Sequence, residues 1–235
     1  MDYKSGCLVC GAELEYTEHH QTLRCFYCGT EHDANAACRN GHYICDSCHS
    51  ASANDLIEQY CNRTQESDPI GLANNLMHAP SIKMHGPEHH FLVPAVLIAA
   101  WCNALKVSPV EKREKIAQAK RRAGNILGGF CGFYGNCGAA VGTGICVSVM
   151  TNATPLSNEE WGLCNRMTAE SLLKIAACGG PRCCKRDSYL AILQASELIQ
   201  RQFHVPLSTT TQIQCQFHSH NAQCIGDRCP FHSED

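Results

Sequence analysis

The chain has 235 residues, 44% of them hydrophobic, and 19 Lys and Arg against 22 Asp and Glu give a net charge of −3. That balance excludes a global basic field for nucleic acid or an acidic membrane surface, and the apolar content suffices for one sizeable core plus a small satellite. Nineteen cysteines in a chain this long point to metal or redox chemistry rather than to a disulfide framework of the kind that staples small secreted folds.

Met1 to Ser5 show no basic stretch leading into an apolar one, so nothing reads as a secretory signal and a cytoplasmic location is expected. Residues 1–53 are expected to form a zinc-binding module. Cys7-x2-Cys10-Gly11 and Cys25-x2-Cys28-Gly29 are separated by 14 residues, the spacing of a zinc ribbon, and the glycine after each pair lets backbone amides turn toward the thiolates. Cys38-x3-His42-x2-Cys45-x2-Cys48 then supplies three sulfurs and one imidazole, with His49 an alternative fourth ligand. Two zinc sites are therefore expected. Sequential pairing puts Cys7, Cys10, Cys25 and Cys28 on one ion and Cys38, His42, Cys45 and Cys48 on the other. A crossed arrangement like that of RING-type domains uses the same eight ligands, and chain order slightly favours the sequential one. Four-ligand sites lack the open position that catalysis requires, so this module reads as a folding staple or docking surface.

Residues 54–207 read as a helical, cysteine-rich domain. Asn54 is a plausible cap for a helix over 55–62, and Asp68-Pro69 opens another with Ile70, Ala73, Leu76 and Met77 on its apolar side. The longest apolar run, Phe91 to Cys102, has 12 residues and contains Pro94. It falls short of the roughly 20 needed to cross a bilayer and reads as a buried helix. Met84-His85-Gly86-Pro87-Glu88-His89-His90 gathers three histidines and a carboxylate at its mouth. Glu88, His89 and His90 are candidate proton carriers there, the alternative being helix capping. Ser108-Pro109-Val110-Glu111 is a capping box, and the helix running to Leu127 carries Ala119, Ala123, Ile126 and Leu127 on its apolar stripe. Its basic side, Lys112, Arg113, Lys115, Lys120, Arg121 and Arg122, reads as a solvated face because Glu111 and Glu114 interleave and no aromatic residue accompanies the charges.

Seven glycines fall within the 17 residues from Gly128 to Gly144, interleaved with Cys131 and Cys137. Such a stretch costs chain entropy and makes sense where backbone must approach something closely. No Gly-Lys-Ser/Thr ending and no GxGxxG after a strand is present, so the glycines serve sulfur or tight helix packing. A second capping box at Ser157-Asn158-Glu159-Glu160 starts a helix running to about Cys178, where Gly179-Gly180 stops it and Pro181 starts the next. Cys183 and Cys184 then lie in a helical first turn, where unpaired amides with Lys185 and Arg186 favour a thiolate or an anionic cluster. Cys102, Cys164 and Cys178 read as small core residues.

Residues 208–235 read as a cysteine tail folding back onto the helical domain, with a short strand over 209–217. Cys215-x8-Cys224-x4-Cys229-Pro230 ends like many ferredoxin-type ligand runs, although its spacings match none of them. A fourth partner could come from Cys131, Cys137, Cys183 or Cys184; zinc with His218, His220 or His232 is the alternative.

CGAAVGTGI (137–145), GGPRCCKR (179–186) and the helix AILQASELI resemble the redox-active proteins named for spaced C…GCAxxG…C…C cysteines, with Gly138-Ala139-Ala140 standing where a second cysteine would be expected. MHGPEHHFLVPAV (84–96), FCGFYGNCGAA (130–140) and CIGDRCPF (224–231) make the chain similar to an uncharacterised cysteine-rich family of prokaryotic, largely anaerobic proteins often annotated near methyltransferases. The resemblance implies an anaerobic sulfur, redox or one-carbon setting. No acidic-glycine methyltransferase loop is found.

The expected protein is mainly α, with the zinc-ribbon-like module in front and the cysteine tail behind. Its expected function is redox or sulfur handling, as an oxidoreductase or sulfur transferase acting with a small-molecule or sulfur-donor substrate or a redox partner protein. Cys131, Cys137, Cys183, Cys184, Cys215, Cys224 and Cys229 would hold an iron–sulfur cluster or supply a reactive thiolate, Cys137 and Cys183 being the catalytic candidates. The rival readings are a non-catalytic zinc-binding adaptor for a protein or nucleic acid, and an accessory subunit for methyl transfer.

Overall fold

The computed structural model describes residues 7, 9–45, 48, 52–210 and 212–233. At the head, β1 (Leu14–Arg24) and β2 (Glu31–Cys38) form an antiparallel hairpin with Leu14 opposite Cys38 and Arg24 opposite Glu31. β1 is exposed along nearly its whole length, so the hairpin has no core of its own and its order must come from its base.

Eight α-helices follow among the described residues, so the protein is mainly α as expected: α1 (Ala53–Arg63), α2 (Pro69–Met77), α3 (Glu88–Ala104), α4 (Pro109–Ala123), α5 (Phe130–Phe133), α6 (Gly138–Thr151), α7 (Glu159–Cys178) and α8 (Cys184–Phe203). Several starts are fixed by caps. Asp68 accepts from the Ile70 amide ahead of Pro69, and Ser108 accepts from the Glu111 amide ahead of Pro109. Ser52, not Asn54, caps α1 by accepting from the Asp55 amide. The second capping box does not form. Asn158 stands at the start of α7 without a side-chain bond, because the Ser157 hydroxyl accepts from the Thr154 amide at 3.0 Å instead. Gly179, at φ +76°, ends α7, and α8 begins at Cys184 rather than at Pro181.

The apolar run becomes α3, the central helix, which α1, α2, α4, α6 and α8 all contact. Its side chains from Phe91 to Ala100 are buried on every face. Each fully buried Leu, Ile or Val there contributes roughly 1.5–3 kcal/mol. No helix among the described residues is long and apolar enough to cross a membrane. The glycines of α6 serve helix packing: Gly138 and Gly142 lie against α3, and Gly144 lies against Thr168 and the Cys164 carbonyl of α7.

The basic side of α4 is only in part a solvated face: Arg113 and Arg121 are exposed, but the lysines are not free. Lys112 is buried and donates to the Thr64 carbonyl at 2.6 Å and to Asn103 Oδ1 at 2.8 Å, which ties α4 to the end of α1. Lys115 is buried against the Trp101 ring, and Lys120 pairs with Asp55 and Glu58 of α1 at 2.8 and 2.6 Å. The three lysines are taken up by contacts that the sequence periodicity could not place.

The head is seated on α1. Arg63 donates to the carbonyls of Phe26 and Tyr27, the Phe26 ring stacks on Tyr60 at 5.8 Å, and Cys25, Cys45 and Cys48 belong to the same buried cluster as the helices. At the other end, the segment expected as a strand over 209–217 forms none among its described residues. No neighbouring strand offers a ladder, and β-branched residues alone do not make one. The tail is held instead by burial of Phe217 and Phe231 and by the Cys215 amide donating to the Phe231 carbonyl at 2.7 Å.

Candidate metal centres

All eight ligands expected at the head come together in two groups of four, each with its donor atoms within 4.8 Å of one another, and each group can hold a metal ion. The pairing is crossed: Cys7, Cys10, Cys38 and His42 form one group, Cys25, Cys28, Cys45 and Cys48 the other. The sequential pairing that chain order favoured is therefore corrected, and the reason lies in the backbone. The hairpin register sets Leu14 against Cys38, which carries Cys38 and His42 back to the first knuckle. The bridge between Cys25 and Tyr43 brings Cys45 to the second. His49 lies outside the described residues.

The spacings are those of ligands around a single ion. Cys10 and Cys38 Sγ are 3.8 Å apart, as are Cys28 and Cys45 Sγ, while His42 Nδ1 stands 3.3 Å from Cys10 Sγ and 3.5 Å from Cys38 Sγ. An edge of about 3.8 Å is what a tetrahedron with metal–sulfur bonds of ~2.3 Å requires. Backbone amides support the sulfurs: Val9 donates to Cys7 at 3.4 Å, His42 to Cys38 at 3.3 Å and Cys45 to Cys25 at 3.4 Å.

The tail builds a different site. Cys183, at the start of α8, opens into one small cavity with Cys215, Cys224 and Cys229, and His218 and His232 also reach it. Water-sized spheres can occupy about 20 Å³ of its interior. Short turns wrap the chain around it: the amides of Cys224, Cys229 and His232 donate to the carbonyls of Asn221, Gly226 and Cys229. Met84, Tyr189 and Phe231 close an apolar side, where the Tyr189 and Phe231 rings meet edge to face at 5.4 Å. Of the four partners offered for the tail cysteines, Cys183 is the one that lines this cavity. His220 is not among the cavity's lining residues.

Cys131, Cys137 and Cys184 do not line this cavity and make a second neighbourhood, near enough to influence one another electrostatically. Cys137 precedes α6 and receives the Ala139 and Ala140 amides, and the Gly86 amide points at Cys184. Burial pushes the Cys137 and Cys183 thiols up to about 11 and Cys184 up to about 12, so burial outweighs the helix-end amides expected to stabilise a thiolate. Lys185 and Arg186 do not offset this. Lys185 donates to the Met77 carbonyl at 2.7 Å and lies over the Phe217 ring, while Arg186 is spent on Asp187 at 3.0 Å and on the Gly179 and Pro181 carbonyls. Asp187, which sequence reading passed over, is the buried acid facing both neighbourhoods; its only signal was its place directly after CCKR.

The histidine-rich segment before α3 acts as a bracket. Glu88 Oε1 accepts the Lys83 amide at 2.8 Å. His89 Nε2 donates to the Lys83 carbonyl at 3.1 Å, and its Nδ1 faces the Ser188 hydroxyl of α8 at 3.2 Å. Burial, with the Lys185 charge nearby, holds the His89 imidazole down at about 3, so it stays neutral. His90 lies against Gly138, with Nδ1 at 3.2 Å from the Ile126 carbonyl, and His85 Nε2 grips Asn221 and Gln223 of the tail at 3.2 and 3.0 Å. This segment thus ties the starts of α3 and α8 to the tail.

Cys102 and Cys146 are buried core thiols, and Cys164 and Cys178 are half-buried against the core. No curated protein and no solved structure matches the chain. The sequence profile of DUF5714, a family of unknown function, matches residues 57–232, a span that contains the eight helices almost entirely and all the tail cysteines but not the head ligands. The chain belongs to that family.

Proposed function

We propose that this is a metal-dependent redox or sulfur-handling protein whose working centre is the tail cavity, and that the head is a zinc-binding piece that braces and docks. The observation that carries the reading is that Cys183, Cys215, Cys224 and Cys229, from two distant parts of the chain, line one small, partly open cavity. That space lies within the family-matched span, whereas the eight head ligands are used up in two closed groups. One closed set of three thiolates with an imidazole and one of four thiolates, at this spacing, suit zinc, and we assign zinc to both. Cys131 and Cys137, half-buried beside α6, are further thiols that a sulfur donor or redox partner could use. The resemblance to the C…GCAxxG…C…C proteins, carried by residues 137–145 and 179–186, supports redox work.

The test is a redox titration of anaerobically purified protein, followed by visible absorption and thiol counting. A reversible transition that Cys183→Ala removes supports the reading. A protein inert to reductant and oxidant contradicts it. The adaptor reading draws on the exposed hairpin, where Tyr16 is 74% accessible. It predicts a colourless, redox-inert protein that retains partner binding when Cys137 is replaced by alanine.

A further inference from the structure

The geometry points to an iron–sulfur cube in the tail cavity, held by Cys183, Cys215, Cys224 and Cys229. The inference rests on the reading above that this cavity is the metal centre, and it names the cofactor and its ligands.

Spacing separates a cube from a single ion. One ion draws four donors toward a common point, as both head groups show with all atoms within 4.8 Å. A cube gives each thiolate its own iron and so holds the sulfurs farther apart. Among the described residues the cavity cysteines and histidines form no group as tight as those at the head.

Room argues the same way. A tetrahedral site closed to ~2.3 Å from its metal leaves no space for a water-sized sphere at its middle. The roughly 20 Å³ open here is about the room one water needs, so the thiols lining the cavity have not closed on a common point as they would around a single ion.

The surroundings suit an anionic cluster. The Phe217 amide donates to Cys215 Sγ at 3.4 Å, the Gly226 amide to Cys224 Sγ at 3.5 Å, and the Arg186 amide serves Cys183. Arg186 also lines the cavity, with its charge paired to Asp187 at 3.0 Å, so the amide donors rather than a free cation are what the cavity offers to anionic sulfur.

The experiment is anaerobic reconstitution of the full chain with ferrous iron and sulfide, followed by metal and acid-labile sulfide analysis and electron paramagnetic resonance after reduction. About four irons and four sulfides per chain are expected beyond the two head ions. Cys224→Ala, at an exposed position, and Cys215→Ser are each expected to lose the iron while circular dichroism keeps its helical content. Cys131→Ala and Cys137→Ala are expected to keep all of it. A third zinc, iron without sulfide, or equal iron loss from Cys137→Ala and Cys224→Ala would overturn the cube. A cube that forms but never changes oxidation state would sink only the proposed function. A third zinc beside a reversible thiol response would sink only the cube.

Discussion

Gly142 of α6 rests on Pro94 of α3, so closely that a β-carbon at 142 would stand 2.8 Å from Pro94 Cδ and 3.1 Å from the His90 carbonyl. Two residues that each weaken a helix are thus complementary: the proline withdraws the amide that the His90 carbonyl would have used, and the glycine lets another helix close over the gap. Gly142→Ala is expected to destabilise the fold by about 1–3 kcal/mol through overpacking against a rigid ring and backbone. Gly162→Ala, where nothing stands within 4 Å, is expected to stabilise by about 0.5–1 kcal/mol. Urea midpoints of the two variants check this, and equal shifts of the same sign would contradict it.

The crossed ligand pairing is tested by cobalt substitution at the head. Cys7→Ser should leave an all-sulfur site made of Cys25, Cys28, Cys45 and Cys48, and Cys45→Ser should leave the site that contains His42. Sequential pairing predicts the opposite spectra for these two variants.

His89 makes stability pH-dependent. Its folded value of about 3 lies below its ordinary 6.5, so above pH 6.5 neither state binds the proton and the contribution is complete. As pH falls from 6.5 toward 3 the unfolded chain protonates first and stability is lost, on the order of 5 kcal/mol over the full window. His89→Gln is expected to flatten the acid limb of a stability curve measured between about pH 7 and 4, even if it lowers stability at neutral pH. An unchanged slope would contradict the burial argument.

Arg63 is the bolt between head and body. Arg63→Ala removes charged donors from the Phe26 and Tyr27 carbonyls and is expected to cost about 1.5–3 kcal/mol locally. Hydrogen exchange at residues 25–30 should accelerate while exchange in α3 stays slow.

Local signals in the sequence were legible, and relations between distant segments were not. The eight head ligands could be named because each knuckle is a short-range motif, but two pairings share those ligands and only the hairpin register chooses between them. The caps at Asp68 and Ser108 were read correctly because a cap is set by its immediate neighbours; the one expected at Ser157 failed because Thr154 competed for the same hydroxyl. Lys112 looked solvated because periodicity cannot tell that the end of α1 covers that side of α4. Cys183 was one of four candidate partners for the tail cysteines, and which of them shares a cavity with the tail depends on where the tail folds, with Phe217 and Phe231 buried.

The central claim, that Cys183 and the tail cysteines meet around one metal centre, is tested most directly by metal analysis of anaerobic Cys183→Ser beside the wild-type chain. Cys183 lies 32 residues before Cys215 in the sequence, so only a shared centre predicts that this substitution strips the tail metal and leaves the two head ions in place. Full retention of the tail metal in Cys183→Ser would contradict the account.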